Sequence, residues 1–227
     1  MILVKNLNFS VSDKEILHSI NLEWSYGILA IVGGNGSGKS TLLSCLSSSL
    51  KTSNHSIFWK NKPINQQLSN YRRSIGYAPQ GRSLDSHLTA IEFLSACAAL
   101  RCLYSSQMKV EIAHILKNVG LTSLADRPLN HFSGGNLRKI LIAQSLLGSP
   151  ELLILDEPTS EVDISASEMI WSKLKKYSQN HAVIIASHDL PSVVKYADKI
   201  AVMSAGNLSP LESPANFEKY KNGIFDL

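Results

Sequence analysis

One short segment, Gly33–Ser40, constrains the fold of this chain more than any other feature of its 227 residues. It reads GGNGSGKS and matches the pattern G-x-x-x-x-G-K-[ST]. The apolar run Ile28–Val32 precedes it and Ser40–Leu50, a stretch of helical character, follows it. This is the strand–loop–helix context that the pattern requires. The sequence therefore predicts a loop whose backbone N–H groups wrap a phosphate at the N-terminus of a helix.

The same segment predicts the groups that bind the phosphates and an accompanying metal ion. Lys39 is placed to reach the β- and γ-phosphates of a nucleotide, and the Ser40 hydroxyl to bind Mg²⁺. The alternative is a glycine-rich turn with a fortuitous lysine, which leaves the agreement of both flanking elements unexplained. The expected nucleotide-binding residues are Gly33, Gly34, Asn35, Gly36, Ser37, Gly38, Lys39, Ser40 and Thr41.

A second informative segment is the apolar run Leu152–Leu155, which is followed by Asp156 and Glu157. Open α/β sheets bind ligands at the carboxyl ends of their strands, so we expect Asp156 beside the phosphate loop as a partner of Mg²⁺. Glu157 is then placed to act as general base for an attacking water, or to orient that water. Taken alone, the pair is equally explained as the cap of a strand-to-turn junction before Pro158; the phosphate loop favours the chemical interpretation.

The rest of the chain alternates apolar strands with amphipathic helices, which is typical of a parallel sheet covered on both faces. Ile2–Leu7 and Ile20–Glu23 predict two early strands, which we assign to an N-terminal antiparallel β subdomain. Apolar residues at helical spacing in Thr89–Tyr104 and Gln107–Val119 predict an inserted α-helical subdomain, at about residues 81–148. We therefore expect an α/β fold with a mostly parallel core sheet.

Composition excludes several classes of protein. Hydrophobic residues make up 44% of the chain, which excludes a disordered protein. The longest uncharged stretches, Ser40–Leu50 and Ile140–Pro150, fall well short of the roughly 20 apolar residues of a spanning helix, so we expect no membrane span. No secretory-signal pattern is visible in the first residues, so we expect none, and the three cysteines lack metal-type spacing. The net charge of +4 does not decide the function, and we expect no nucleic-acid partner.

Four further segments narrow the class of nucleotide-binding protein. Gln80 ends an apolar strand, and Ser133–Asn136 follows the predicted helical insertion. Ser160–Asp163 follows the acidic pair, and Ser187–Asp189 follows a late strand. Together with the phosphate loop and the acidic strand end, this order resembles the ATP-binding cassette (ABC) ATPases. The resemblance covers almost the whole chain and implies a single ABC ATPase domain over residues 1–227.

The resemblance implies a P-loop NTPase fold, ATP and Mg²⁺ as ligands, and a role for each matched residue. Gln80 would contact Mg²⁺, the attacking water and a partner permease, and His188 would contact the γ-phosphate. Asp163 matches the acid of the loop that crosses to the opposite subunit. His188 differs from the other histidines, which we interpret as solvated or structural, because it follows the apolar strand Val183–Ala186 where the other ligands gather.

The resemblance also implies that one copy of the chain is insufficient. Ser133, Gly134 and Gly135 would present a helix N-terminus to the γ-phosphate of an ATP held by Lys39 of a second copy. Two ATP molecules would be enclosed between two facing domains, whose pairing closes on binding and opens on hydrolysis. The structural alternative, a serine that caps its own helix, uses the same N–H groups and is compatible with this role.

Three positions depart from the family pattern. The aromatic residue that usually stacks on adenine is replaced by Val11, and Phe9 lies two residues too early, so we expect weak base stacking. Asn136 replaces a glutamine, and Glu161 replaces a small residue near the subunit junction. We nevertheless expect a hydrolysis-competent site, because the chain retains Lys39, Gln80, Asp156, Glu157 and His188.

A single cassette resembles the nucleotide-binding subunit of a transporter whose membrane subunit is a separate polypeptide. We expect this permease and a second ABC ATPase subunit as partners, with the chain peripheral on the cytoplasmic face of the membrane. The amino-acid sequences of Phe132–Asn136 and Glu157–Ser160 resemble those of the exporter branch of the family. The alternatives are a soluble ABC-type ATPase that acts on the ribosome or nucleic acid and, less compatible with these motifs, a small-molecule kinase.

Overall fold

The computed structural model describes residues 1–52, 55–81, 84, 87–103 and 108–217. Within them, strands and helices alternate in the manner that the sequence predicts. The strands are β1 (Ile2–Val11), β2 (Lys14–Trp24), β3 (Gly27–Val32), β4 (Ile57–Trp59), β5 (Lys62–Pro63), β6 (Ile75–Ala78), β7 (Leu152–Asp156), β8 (Ala182–Ala186), β9 (Lys199–Ser204) and β10 (Asn207–Leu208). The helices are α1 (Lys39–Leu46), α2 (Leu68–Ser74), α3 (Ala90–Leu100), α4 (Met108–Asn118), α5 (Gly134–Leu146), α6 (Ile164–Ser178), α7 (Leu190–Tyr196) and α8 (Pro214–Phe217), with short 3₁₀ turns at Ile64–Gln66, Thr122–Leu124 and Leu129–His131.

In the described part of the chain, the core sheet has six strands in the order β10-β9-β3-β8-β7-β6. The strands from β9 to β6 run parallel, and β10 pairs antiparallel with β9 at one edge. The carboxyl ends of the parallel strands therefore meet at one edge of the sheet, where Ala186 is in register with both Ile31 and Asp156. This arrangement confirms the predicted α/β fold with a mostly parallel sheet.

The residues of β3 show how the sheet divides the interior into two hydrophobic cores. Ile28, Ala30 and Val32 face the core that contains α3 to α7, whereas Leu29 and Ile31 face the core shared with α1 and the N-terminal strands. This alternation follows from the period of two along a strand. Every residue of β3 is buried, which is why a continuous apolar run was recognisable in the sequence.

The N-terminal strands form a second, antiparallel sheet in the order β2-β1-β4-β5. Both strands of its hairpin are longer than the predicted Ile2–Leu7 and Ile20–Glu23, because pairing continues as far as Val11 and Lys14. The outer half of β1 is mostly exposed, and its register with β2 shifts repeatedly. A solvated, irregular hairpin end lacks the apolar alternation by which strands are detected in a sequence.

Helix α1 ends at Leu46, four residues before the predicted end at Leu50. Ser48 adopts a left-handed conformation with φ of 59°, and the backbone N–H groups of Ser49 and Leu50 turn back to the Ser44 carbonyl. The Ser47 hydroxyl donates to the same carbonyl. Serine competes for backbone hydrogen bonds near helix ends, and three consecutive serines here terminate the helix early.

The predicted helical insertion contains α3, α4 and α5, which pack on one another. Thr89 and Glu92 form a reciprocal capping box at the start of α3, which fixes that helix end. The predicted ends at Tyr104 and Gln107 lie outside the described residues, and the limits of the insertion at about 81–148 stay a prediction. In the part of the chain that the structure describes, no helix combines the length and apolar character that crossing a membrane requires.

Candidate functional site

The segment that follows β3 folds as the glycine pattern predicts. Gly33 has φ of 152°, and a Cβ atom at this position would lie 2.1 Å from the Met203 carbonyl oxygen. Gly38 has φ of 109° and caps α1, so that the helix begins at Lys39. Side chains larger than hydrogen are therefore excluded by the approach of β9 at one position and strained by the backbone at the other.

Lys39 is buried at the base of this loop, with 8% of its surface exposed. Its Nζ atom donates to the carbonyl oxygens of Gly33 and Gly34, both at 2.8 Å. Burial lowers the pKa of the ammonium group, and the carboxylates of Glu157 and Asp156 raise it. The predicted phosphate-binding cation and the two predicted acids are thus brought together.

Two buried polar atoms at this site, Ser37 Oγ and Asp156 Oδ1, have no hydrogen-bond partner among the residues that the structure describes. Asp156 is 2% exposed at the end of β7. Burial raises the pKa of its carboxyl group, while hydrogen bonds from the Ser40 hydroxyl and the Gln80 backbone N–H lower it. A buried acceptor without a donor is costly, and oxygen ligands are those that Mg²⁺ prefers. Ser40 and Asp156 therefore fit a magnesium site beside the loop.

Glu157 follows β7 and is buried, with 5% of its surface exposed. Its backbone has φ of 50°, and its N–H group donates to the Ala186 carbonyl at 2.9 Å. Its Oε2 atom lies 2.8 Å from Nδ1 of His188, whose side chain is 68% exposed. A carboxylate that is withdrawn from solvent and faces an accessible imidazole has the geometry for accepting a proton at the rim of the site.

Ser133 and Gly134, at the N-terminus of α5, are exposed, and no hydrogen bond among the described residues joins this helix end to the chain's own phosphate loop. Ser133 caps the helix, and its Oγ accepts from the Asn136 N–H at 3.4 Å. Glu161 covers the first turn: a Cβ on Gly134 would lie 2.3 Å from Glu161 Oε2, and one on Gly135 would lie 2.8 Å from its carbonyl. The partly exposed helix end is thus faced by a carboxylate of the same chain.

The remaining predicted residues are exposed or half-buried. Gln80 has an exposed side chain beyond β6, and Thr41 is half-buried in α1. The Asp163 carboxylate caps α6 by accepting from the Ala166 N–H at 2.8 Å, and it therefore stabilises the N-terminus of this helix. Val11 is 56% exposed, whereas Phe9 is partly buried and packs against the core beneath the antiparallel sheet.

Sequence reasoning missed one residue, Arg138. This arginine of α5 is 5% exposed, and its guanidinium donates to the Pro79 carbonyl and to Ser160 Oγ, both at 2.8 Å. A single cation within an otherwise apolar helix face is the only local signal of its burial. Its hydrogen-bond partners are distant in sequence and were not deducible from the pattern.

Comparisons with known proteins agree with the resemblance. The profile of the ABC transporter family matches residues 17–160, which is more than half of the chain. The Haemophilus influenzae Fe(3+) ions import ATP-binding protein FbpC 2 is 32% identical over 94% of this chain and 62% of its own length. An uncharacterized ABC transporter ATP-binding protein of Methanocaldococcus jannaschii, MJ0089, is 34% identical over 89% of this chain and 82% of its own. The human phospholipid-transporting ATPase ABCA7 is 32% identical over 91% of this chain but only 10% of its own length.

Solved structures show the same likeness. The bacterial ABC transporter cassette MJ0796, described as a dimer, superposes with a TM-score of 0.84 at 26% identity over 94% of this chain and 99% of its own. The same cassette is also known in a dimeric post-hydrolysis state bound to ADP and Pi. The cbiO1 protein of Clostridium perfringens, part of the ABC transporter complex cbiONQ, superposes with a TM-score of 0.82 at 30% identity over 97% of this chain and 91% of its own. The chain therefore belongs to the ABC transporter family, as an ATP-binding cassette ATPase with the P-loop NTPase fold.

Proposed function

We propose that this chain binds ATP with Mg²⁺ at the carboxyl edge of its core sheet and hydrolyses it as half of a two-cassette dimer that drives a separate membrane permease. One observation carries the proposal: Lys39, Asp156 and Glu157 converge at this edge, and Asp156 keeps a buried acceptor oxygen without a partner. These groups match the charges and the oxygen ligands that a nucleotide triphosphate with Mg²⁺ requires.

Binding of ATP exchanges internal contacts for contacts with phosphate. The Lys39 ammonium, which donates to two loop carbonyls, turns to the β- and γ-phosphates, and the unpartnered Ser37 hydroxyl gains an acceptor. The loop N–H groups and the N-terminus of α1 add positive potential. Ser40 and Asp156 would hold Mg²⁺, which when bound neutralises phosphate charge and polarises the γ-phosphoryl group.

In the proposed hydrolysis, Glu157, His188 and Gln80 each have a separate role. A water oxygen attacks the γ-phosphorus, the bond to the β–γ bridging oxygen breaks, and the Glu157 carboxylate takes the proton of the water. His188 contacts this carboxylate and orients it, while its exposed ring faces the γ-phosphate. The Gln80 backbone N–H donates to the Asp156 carboxylate, which brings Gln80 beside the proposed metal site, and we assign its exposed side chain to the attacking water.

The dimer completes the site from outside. Ser133, Gly134 and Gly135 of one copy contact the γ-phosphate held by Lys39 of the other, and Asp163 lies in the segment that crosses between copies. Ser133 and Gly134 are exposed, which supports this assignment because this helix end is accessible to a second molecule. The dimeric cassette structures reported above support it further.

We propose a separate permease as the partner, with the chain peripheral on the cytoplasmic face of the membrane. The name of cbiO1, part of a multi-protein transporter complex, supports a separate permease. For the direction of transport we propose export, and this rests only on the resemblance of the sequences Phe132–Asn136 and Glu157–Ser160 to those of exporters. A membrane protein encoded beside this chain that copurifies with it and stimulates its ATPase activity would support the partnership; ATP-dependent loading of inside-out vesicles would support export.

The variant Glu157→Gln tests the hydrolytic proposal. It removes the proton acceptor but keeps the shape of the side chain, so we expect kcat to fall by about 10²–10⁴-fold while ATP affinity is retained. Because ATP is then bound but not cleaved, we also expect the variant to form an ATP-dependent dimer in size-exclusion chromatography with light scattering.

The matched control is Glu151→Gln, which removes an exposed carboxylate that pairs with Lys60 at 2.7 Å, next to the opposite end of β7. We expect kcat of this control within about twofold of wild type, since exposed ion pairs contribute little. A Glu157→Gln chain that turns over ATP at the wild-type rate would contradict the assignment of the base. A variant that stays monomeric with saturating ATP would contradict the dimer.

A further inference from the structure

The buried arginine of α5 occupies an unusual position. Arg138 lies four residues, about one helical turn, after Gly134, on the helix whose N-terminus is proposed to meet the partner's nucleotide. Its side chain points inward, and the residue is 5% exposed. Burial lowers the pKa of the guanidinium, and the carboxylates of Asp156, Glu161 and Glu157 raise it. The cation is therefore surrounded by the acids of the candidate site.

The two acceptors of Arg138 belong to the two loops that carry hydrolytic residues. Nη1 donates to the carbonyl of Pro79, which directly precedes Gln80. Nη2 donates to Ser160 Oγ, and this hydroxyl in turn donates to the Glu157 carbonyl at 3.0 Å. One guanidinium thus joins the α5 helix to the backbone before Gln80 and, through the Ser160 hydroxyl, to the turn that carries Glu157.

The turn that Arg138 supports is the one that fixes Glu157. The N–H and the hydroxyl of Ser160 both donate to the Glu157 carbonyl, and Glu157 itself adopts φ of 50°. A left-handed conformation of a glutamate costs free energy and persists only when its surroundings hold it. The bond from Arg138 to Ser160 is one of the contacts that hold this turn and thereby aim the Glu157 carboxylate at His188.

We propose that Arg138 is a positioning residue for ATP hydrolysis, which fixes the loops of Gln80 and Glu157 in position relative to the N-terminus of α5. The inference rests on the proposed function, because it assigns Glu157 as base. A buried charge seldom adds stability compared with an apolar side chain of the same size, so stability alone does not account for a cation here. The geometry accounts for the cation, because one planar guanidinium donates to two separate acceptors, the Pro79 carbonyl and Ser160 Oγ.

The variant Arg138→Met tests this role, because it keeps the length of the side chain and removes both donors. We expect kcat to fall about 10- to 100-fold, the rate equivalent of a lost hydrogen bond to a charged group, with ATP affinity within about twofold of wild type. Arg138→Lys reaches only one acceptor at a time, and we expect it to restore part of kcat. The affinity is measured with a fluorescent nucleotide and the rate by phosphate release.

Ser160→Ala provides a second variant that leaves the buried charge in place. It removes the acceptor of Nη2 and the donor to Glu157, so we expect kcat to fall here also. Since both changes break one chain of hydrogen bonds, the double variant should be little slower than Arg138→Met alone. A double variant whose loss equals the product of the single losses would contradict coupling through Ser160.

The matched control is Arg101→Met. Arg101 is a half-buried arginine, which donates to the carbonyls of Leu147, Arg73 and Ile75 at 2.9, 3.3 and 2.7 Å, away from the loops of Gln80 and Glu157. We expect this control to lower Tm but to leave kcat within about twofold of wild type. If Arg138→Met lowers Tm and leaves kcat unchanged in the same way, the positioning role is wrong while the proposed function stands.

A different result would overturn the function itself. A wild-type chain that neither binds ATP nor hydrolyses it with Mg²⁺ and its permease would contradict the proposed function, and the inference with it. Hydrolysis by the wild type and by Arg101→Met, combined with loss in Arg138→Met and in Ser160→Ala, supports both.

Discussion

Replacing Asp156 by asparagine is expected to move stability and function in opposite directions. The carboxylate is 2% exposed, its Oδ1 atom has no hydrogen-bond partner, and burial raises its pKa. An unsatisfied buried acceptor costs about 1–3 kcal/mol. Asp156→Asn removes the charge but buries an amide in its place, which offsets part of the benefit. We therefore expect the free energy of unfolding of the nucleotide-free chain to rise by about 1–2 kcal/mol. For a chain of this size, that gain raises Tm by about 2–8 °C.

The gain should depend on pH with a definite sign. A carboxyl group whose pKa is raised by folding binds protons more tightly in the folded chain. Its favourable contribution is complete below the unfolded value of 3.8 and is lost as pH rises through the raised pKa. Wild type and Asp156→Asn should therefore have similar Tm values near pH 3.8, whereas the variant should be the more stable at pH 7.

Adding Mg²⁺ and ATP should reverse the order of stability. At a ligand concentration of 100 times Kd, binding stabilises the folded chain by about 2.7 kcal/mol, or roughly 5–10 °C. The wild type should show this shift in thermal melts monitored by circular dichroism, whereas Asp156→Asn, without its metal ligand, should lose most of it.

The control for these melts is Asp126→Asn, which changes an exposed aspartate on the helical insertion and should alter Tm by less than about 1 °C. The reasoning is refuted by a nucleotide-free Asp156→Asn chain that melts at or below the wild-type temperature at pH 7. It is equally refuted by a variant that keeps the full shift with Mg²⁺ and ATP.

The parts of this molecule that the sequence revealed are those in which consecutive residues carry the whole signal. The phosphate loop is such a part, because a side chain at Gly33 or Gly38 would cause a clash or backbone strain. The spacing of the glycines in the sequence therefore indicates the loop directly. The strands of the core sheet are similar, since burial on both faces leaves a continuous apolar run. The early end of α1 and the solvated half of β1 were missed because neither changes the apolar periodicity.

Contacts between distant segments were not predictable in the same way. Arg138 reaches acceptors 59 and 22 residues away along the chain, and its burial follows from the packing of three segments together. Phe9 has the right chemistry for stacking on a base, but in the structure it is partly buried against the core, which the alternation of a regular strand did not indicate. The sequence placed Glu161 near the subunit junction, whereas its position over Gly134 required the fold.

Two further predictions concern the departures from the family pattern. Val11→Tyr adds a ring at an exposed position, and base–aromatic stacking of about 1–3 kcal/mol should raise ATP affinity roughly 5- to 150-fold in a nucleotide titration; Phe9→Leu, at a partly buried position, should leave it unchanged. Glu161→Gln removes the carboxylate that faces the α5 N-terminus, where the partner's γ-phosphate is proposed to bind. At about 0.3–1 kcal/mol for each helix end, two sites should raise the ATP-dependent dimerisation constant roughly 3- to 30-fold at low salt, and less at 1 M salt because the charges are screened. Glu23→Gln, an exposed change at the other end of the sheet, should have no such effect in sedimentation or light scattering. A dimerisation constant of Glu161→Gln equal to that of wild type at low salt would show that this carboxylate does not compete with the phosphate.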